Sequence, residues 1–133
     1  MATTIQDKPW GSELTWAHTS RYAGRLLHIK GGHRLSRHYH QLKEETLFVL
    51  EGKLRLEVGP DQYNPEIEIH YLTEGMNIIL PPGTIHRLCA EEGDVRVIEA
   101  SSPEQLDFVR LEDDYKRIDK GDFPPKKPPR FEK

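Results

Sequence analysis

The chain holds a single cysteine, Cys89, among its 133 residues. One thiol excludes a disulfide framework within the chain and any zinc ribbon built on cysteines, and it suits a reducing compartment. No apolar run is long enough to span a bilayer, and the stretch from Met1 to Trp10, with Asp7, Lys8 and Pro9, has no signal-peptide core. A cytoplasmic protein without a membrane partner is therefore expected. Neither charge sign dominates: 19 Lys and Arg stand against 22 Asp and Glu, a formal net charge of -3. Such a chain has no broad positive field to gather nucleic acid, and nucleic acid is not an expected partner. A Gly-rich phosphate loop, a Ser-His-Asp signature and a dinucleotide fingerprint are all missing.

What is present is a succession of short β-runs broken by Gly and Pro. The runs are Glu13–Ala17, Arg25–Lys30, Arg34–His40, Glu45–Leu50, Lys53–Val58, Glu66–Tyr71, Met76–Leu80, Ile85–Cys89 and Val95–Ala100. Several alternate polar and apolar residues, the mark of a strand with one buried face. About nine strands at near-regular spacing predict an all-β sandwich or barrel. The length fits one domain, taken as residues 1–118 with the barrel over about 12–101. Pro103–Asp107 reads as a short helical turn, and residues 119–133 as a Pro- and Lys-rich tail in extended conformations outside the barrel. Trp10 and Trp16 read as core residues, or else as covering a barrel face or a dimer contact.

The histidines carry the chemistry. His38 and His40 are two apart in an alternating segment, so on a strand both rings face one side and can converge on an ion. Glu45 shares its phase with Leu47 and Val49, which places a carboxylate on an inward face, where it needs a partner. His86 follows the rigid turn Pro81-Pro82-Gly83. Three imidazoles and one carboxylate suit a divalent ion of the Zn, Mn, Ni or Fe type. Read in isolation, the same residues equally describe a solvated polar strand face. Cys89 sits out of phase with His86 and reads as a packing residue.

The spacing decides between these readings. Gly32, five residues, His38, one residue, His40, four residues, Glu45, six residues and Gly52 resembles the first motif of the cupin family. Gly75, five residues, Pro81, one residue, Gly83, two residues and His86 resembles the second, with Ala90 at the place of its final Asn. The resemblance implies a double-stranded β-helix of two antiparallel sheets and one divalent metal ion on His38, His40, Glu45 and His86. A narrower likeness, carried by Lys8-Pro9-Trp10-Gly11-Ser12-Glu13, Arg34-Leu35-Ser36, Ile85-His86-Arg87-Leu88 and Val109–Asp113, is to the cupin domain of type II phosphomannose isomerases. It departs from that family at His38, often a Gln there, and at Gln41-Leu42-Lys43, where the family has a His-rich run.

That likeness implies a metal-dependent aldose–ketose isomerase acting on a sugar phosphate, or a carbohydrate-related relative. Two alternatives stand beside it: a cupin dioxygenase with a redox metal, and a non-catalytic sugar-binding module. Arg34 shares the phase of His38 and His40 and is expected to face inward and hold a phosphate, or else to sit in an internal ion pair with an acidic residue such as Glu99. Lys30 and Arg87 match residues usual in the isomerase-like family and are read as substrate-binding, or as solvated rim charges. No general base can be named. A homodimer is expected, paired through the strand at Glu13–Ala17.

Overall fold

Alternation of inward and outward residues sets how the chain stacks on itself. The structure, a computed structural model, describes residues 3–61 and 66–117. They contain eleven strands: β1 (Thr4–Lys8), β2 (Gly11–His18), β3 (Ala23–Ile29), β4 (Arg37–His40), β5 (Glu45–Glu51), β6 (Leu54–Gly59), β7 (Glu68–Leu72), β8 (Asn77–Leu80), β9 (Ile85–Cys89), β10 (Val95–Ser101) and β11 (Phe108–Glu112). They form a six-stranded sheet in the order β1-β2-β3-β10-β5-β8 and a five-stranded sheet in the order β11-β4-β9-β6-β7, with antiparallel pairing throughout. No helix occurs among the described residues. This is the all-β, two-sheet architecture that the strand pattern predicts.

The inner faces meet in an apolar core. Leu27 and Ile29 of β3, Leu47 and Val49 of β5, and Val95 and Val97 of β10 pack against Leu54 and Leu56 of β6 and Leu88 of β9. Trp10 closes one side of this core and is buried. On β5 the inward phase runs from Leu47 and Val49 back to Glu45, which is buried in the way its alternation predicts. Because the inner faces of both sheets are apolar, such a carboxylate has no neutral place to hide.

Two turns show why glycine stands where it does. Gly52, between β5 and β6, has a φ of 84°, and a Cβ there would stand 2.5 Å from the Asp94 carbonyl oxygen. Only Gly fits both demands. Gly24 on β3 has an indole against it: a Cβ would meet the Trp16 ring at 2.4 Å. Trp16 is therefore not a core residue. It lies on the outside of the six-stranded sheet and is 52% exposed, because β2 turns its even residues outward while Glu13 lines the interior.

The sequence reading places no strand at Thr4–Lys8 or Phe108–Glu112. The structure has both, one at an edge of each sheet. Residues 103–107 form no helical turn. Asp107 instead accepts the backbone N–H groups of Leu42 and Lys43 on its side chain and that of Gln41 on its carbonyl, so this segment is shaped by long-range bonds and not by its own propensity. The expected tail over 119–133 lies outside the described residues.

Candidate metal centre

At one end of the barrel the core gives way to a cavity of about 710 Å3. Its apolar wall includes Trp10, Leu27, Leu35 and Leu88, and its polar floor holds Ser36, His38, His40, Glu45 and His86. β4 and β9 are neighbours, with His38 opposite His86. The rigid Pro81-Pro82-Gly83 turn is tied to the same place, since the Gly83 N–H donates to the His40 carbonyl at 2.7 Å. One ring nitrogen from each of His38, His40 and His86 lies within 4.8 Å of the others.

The other nitrogen of each ring is already occupied. His86 Nδ1 donates to the Thr84 carbonyl at 3.0 Å, His38 Nδ1 to the Ser36 carbonyl at 3.0 Å, and His40 Nδ1 to Asp107 Oδ1 at 3.0 Å. Acceptors at Nδ1 fix the tautomer and leave Nε2 as the lone-pair donor toward the cavity, the arrangement that orients metal-binding imidazoles. Glu45 Oε2 lies 3.3 Å from His40 Nε2 and 3.4 Å from His86 Nε2 and is buried with no hydrogen-bond donor while those rings are neutral. A buried carboxylate oxygen left without a donor is costly. A cation among these four side chains would satisfy it, and the donor set of imidazole and carboxylate is that of a divalent transition ion. The residues fit the group.

The electrostatics agree with the geometry. Burial, reinforced by the His86 and His40 rings, drives His38 well below the ordinary imidazole value, so it is neutral and able to donate a lone pair. Burial also lowers His40, against the pull of Glu45. Burial works against a charged His86 too, but the Glu45 carboxylate outweighs it and raises that pKa. For Glu45, burial pushes upward, and His86, Lys43 and His40 overcome it and hold the carboxyl far below the usual range. Glu45 is thus ionised.

A second charged group shares the cavity. Lys43 Nζ lies 2.9 Å from Glu99 Oε2, and Arg25 Nη1 donates to the same oxygen at 3.2 Å. All three side chains are buried. Burial, and next the nearby Glu45, raises the Glu99 pKa against the opposing Lys43 and Arg25. Lys43, Arg25 and Asp107 carry no motif of their own in the sequence. The inward phase of Glu99 on β10, shared with Val95 and Val97, was the available signal for that residue.

The three basic residues expected to hold substrate do not reach this cavity. Arg34 is paired in bidentate fashion with Asp114, at 2.8 and 2.9 Å. It is an ion pair as the alternative reading has it, but not with Glu99 and not inside the barrel. The cause is a slip in alternation. His38 lies opposite His86 and Arg34 opposite Cys89, which sets four residue steps on one chain against three on the other. The extra residue behaves as a bulge and reverses the faces beyond it: Leu35 and Ser36, adjacent in sequence, both line the cavity and Arg34 points away. Arg87 follows His86 on β9 and so takes the opposite face, where it is fully buried, with Nε donating to the Leu35 carbonyl at 2.9 Å. Lys30, beyond the end of β3, is exposed and lines no part of the cavity. Cys89 shares the outer face, its thiol pushed up to about 11 by burial and by Glu57; a thiol so placed is inert at neutral pH.

Asp107 deserves a direct test, because it holds His40 from behind and ties the β4–β5 loop at once. Asp107→Ala is expected to weaken metal affinity by roughly 10- to 100-fold. Competition with a chromogenic chelator measures this, and an unchanged affinity would mean that Asp107 serves the loop alone.

A family model described as a cupin domain matches residues 25–101. The mannose-1-phosphate guanylyltransferase of Sinorhizobium fredii (strain NBRC 101917 / NGR234) is 30% identical over 81 residues, covering 61% of this chain and 14% of that protein. The chain thus spans only a small part of this relative. Among solved structures, the capsular polysaccharide assembling protein CapF from Staphylococcus aureus superposes with a TM-score of 0.75 at 21% identity, over 84% of this chain and 34% of that one. KdgF from Halomonas sp. superposes with a TM-score of 0.66 at 24% identity, over 77% and 87%. Identities this low establish a shared fold and no more.

Proposed function

Because the chain belongs to the cupin family, we propose that it is a metal-dependent enzyme of carbohydrate chemistry, an aldose–ketose isomerase acting on a sugar phosphate. The observation that carries this reading is the floor of the cavity, where three oriented imidazoles and an ionised, donor-less Glu45 oxygen converge beside a second, separate carboxylate, Glu99. The partial likeness to a mannose-1-phosphate guanylyltransferase supports a carbohydrate substrate.

A divalent ion held by His38, His40, His86 and Glu45 would supply a Lewis acid for a substrate carbonyl. The chain supplies the rest. Trp10, Leu27 and Leu88 exclude water from one wall. Arg25 and Lys43 fix Glu99 by a pair of charge-assisted contacts. Glu45 and Glu99 occupy one cavity with pKa values driven in opposite directions, the pattern that separates a permanent anion from a proton carrier. In this reading the Glu99 carboxylate takes the proton from the carbon next to the aldehyde and returns it to the aldehyde carbon. The hydroxyl proton crosses to the former carbonyl oxygen, and the product ketose has the same atoms as the aldose.

The test is conversion of mannose 6-phosphate to fructose 6-phosphate by protein loaded with Zn, Mn, Ni or Fe in turn. Turnover is expected, and Glu99→Gln should lower kcat by about 10²- to 10⁴-fold while metal content stays at the wild-type level. Failure of every loaded form to turn over would defeat the isomerase reading.

A further inference from the structure

The cavity is lined by ionisable residues of both signs. Lys8, Arg25, Lys43, Arg110 and Arg117 line it together with Asp7, Glu13, Glu45 and Glu99, and Arg117 is held in bidentate fashion by Asp113. Inside, the charges answer one another: Arg25 lies between Glu99 and Glu13, at 3.2 and 3.8 Å, and Lys43 rests on Glu99. Glu45 faces the imidazoles. A divalent ion on the floor would therefore add positive charge to a lining whose interior charges already answer one another.

Two further cationic side chains, Lys8 and Arg110, belong to this lining. Lys8 is half-buried at the end of β1 and lines the cavity, and its backbone is set by pairing with Gly11 beside the buried Trp10. Among the described residues it has no hydrogen-bond or ion-pair partner. Arg110, also lining the cavity, carries its guanidinium 4.8 Å from the centre of the Phe108 ring, which holds the cation against an aromatic face. A concave site with an unpaired ammonium in its lining and a divalent ion on its floor would attract and orient an anionic ligand.

We propose that Lys8 is the anion anchor of the cavity, seating the phosphate of a phosphorylated sugar with Arg110 beside it, while the sugar reaches toward the histidine floor. This rests on the sugar-phosphate reading given above and replaces Arg34 in the phosphate-holding role. Lys8 is a specificity residue: it touches the charged end of the ligand and none of the reacting atoms.

The experiment is calorimetric titration of the metal-loaded full chain with mannose 6-phosphate and with mannose, in wild type, Lys8→Gln and Lys8→Arg. Wild type should prefer the phosphorylated sugar by at least about tenfold, the worth of one charge-assisted contact. Lys8→Gln should lose that preference without losing affinity for mannose, and Lys8→Arg should keep most of it. An equal preference in wild type and Lys8→Gln would overturn the assignment and leave the isomerase reading intact. Should wild type bind neither sugar, the isomerase reading fails, and inorganic phosphate decides for Lys8 alone. A saturable shift of the Trp10 indole resonance that vanishes in Lys8→Gln upholds the anchor, and an identical response or none in the two proteins overturns it.

Discussion

His86→Ala should carry less than about a tenth of the metal that the wild type retains after the same purification, with wild type near one ion per chain. Elemental analysis measures both. The expectation follows from how the ring is held. The Thr84 carbonyl fixes its Nδ1–H, and Nε2 stands with the Glu45 carboxylate against it at 3.4 Å. Removing the ring deletes one of three imidazoles and frees Glu45 from the group that keeps it ionised. His40→Ala should behave alike, because it also strips Asp107 of its partner. His70→Ala is the control. That ring is exposed and pairs with Glu68, and its loss should leave metal content unchanged. Full stoichiometry in both His86→Ala and His40→Ala would sink the metal site.

The same residues set a pH dependence. His38 and His40 have lowered pKa values, so protons compete poorly for them even in mildly acidic solution. His86 is the opposite case: Glu45 raises it above the ordinary value of 6.5 against the effect of burial. A metal ion must displace that proton. Affinity should therefore rise with pH until the His86 pKa of the metal-free protein is passed, and fall about tenfold per unit below it. Binding at a pH below the His86 pKa should release about one proton, which titration calorimetry in buffers of different ionisation enthalpy would count. In the metal-free protein, the stability contributed by a raised His86 is present below its unfolded pKa and lost as pH rises through the folded one. The contribution of a lowered Glu45 has the reverse sense and disappears in acid.

Most of the strands and the clustering of His38, His40 and His86 were legible in the sequence because each is a local fact. His38 and His40 share a face through the period of a strand, Glu45 inherits the inward phase of Leu47 and Val49, and a rigid turn sets the start of His86. The cupin architecture follows from motifs whose spacing survives without knowledge of any contact. What local periodicity cannot carry is the effect of one inserted residue. Extended from His38 back to Arg34, the alternation crosses the bulge opposite β9 and arrives on the wrong face. Nor can it show partners that come from afar. Asp107 lies 67 positions from the ring it orients, and Glu99 reaches Arg25 over a separation of 74. Neither Thr4–Lys8 nor Phe108–Glu112 looks like a strand by itself, since a mixed, charged sequence at a sheet edge needs only one neighbour to pair with.

Asp114→Ala should lower stability by about 3 kcal/mol, at the low end of what breaking a buried ion pair costs, and Tm by roughly 10 °C for a chain of this size. Asp114 stands where the expected substrate-binding arginines actually meet. It accepts two hydrogen bonds from Arg34, and Arg87 Nη2 lies 3.5 Å from its Oδ1. Burial, together with the adjacent Arg34, pulls the Arg87 pKa down, and Asp114 and Glu57 oppose that pull. Without Asp114 a fully buried guanidinium would face a neighbouring guanidinium across a region from which water is excluded. The loss also unfastens the segment after β11, which the arginines hold against the outer face of the five-stranded sheet. Arg37, bridging Glu57 and Glu112, ties β11 itself, and Tyr115 of the following segment stacks on His33. The effect should be structural only, so Asp114→Ala studied below its lowered Tm should bind metal with wild-type stoichiometry and show the same preference for phosphorylated over neutral sugar. Replacing both charges, as in Arg87→Met with Asp114→Asn, should recover part of the stability, since a neutral pair demands no counter-ion. A Tm within about 2 °C of wild type in Asp114→Ala, or a loss of ligand preference with stability intact, would return Arg34 to the binding role that its place in the sequence implies.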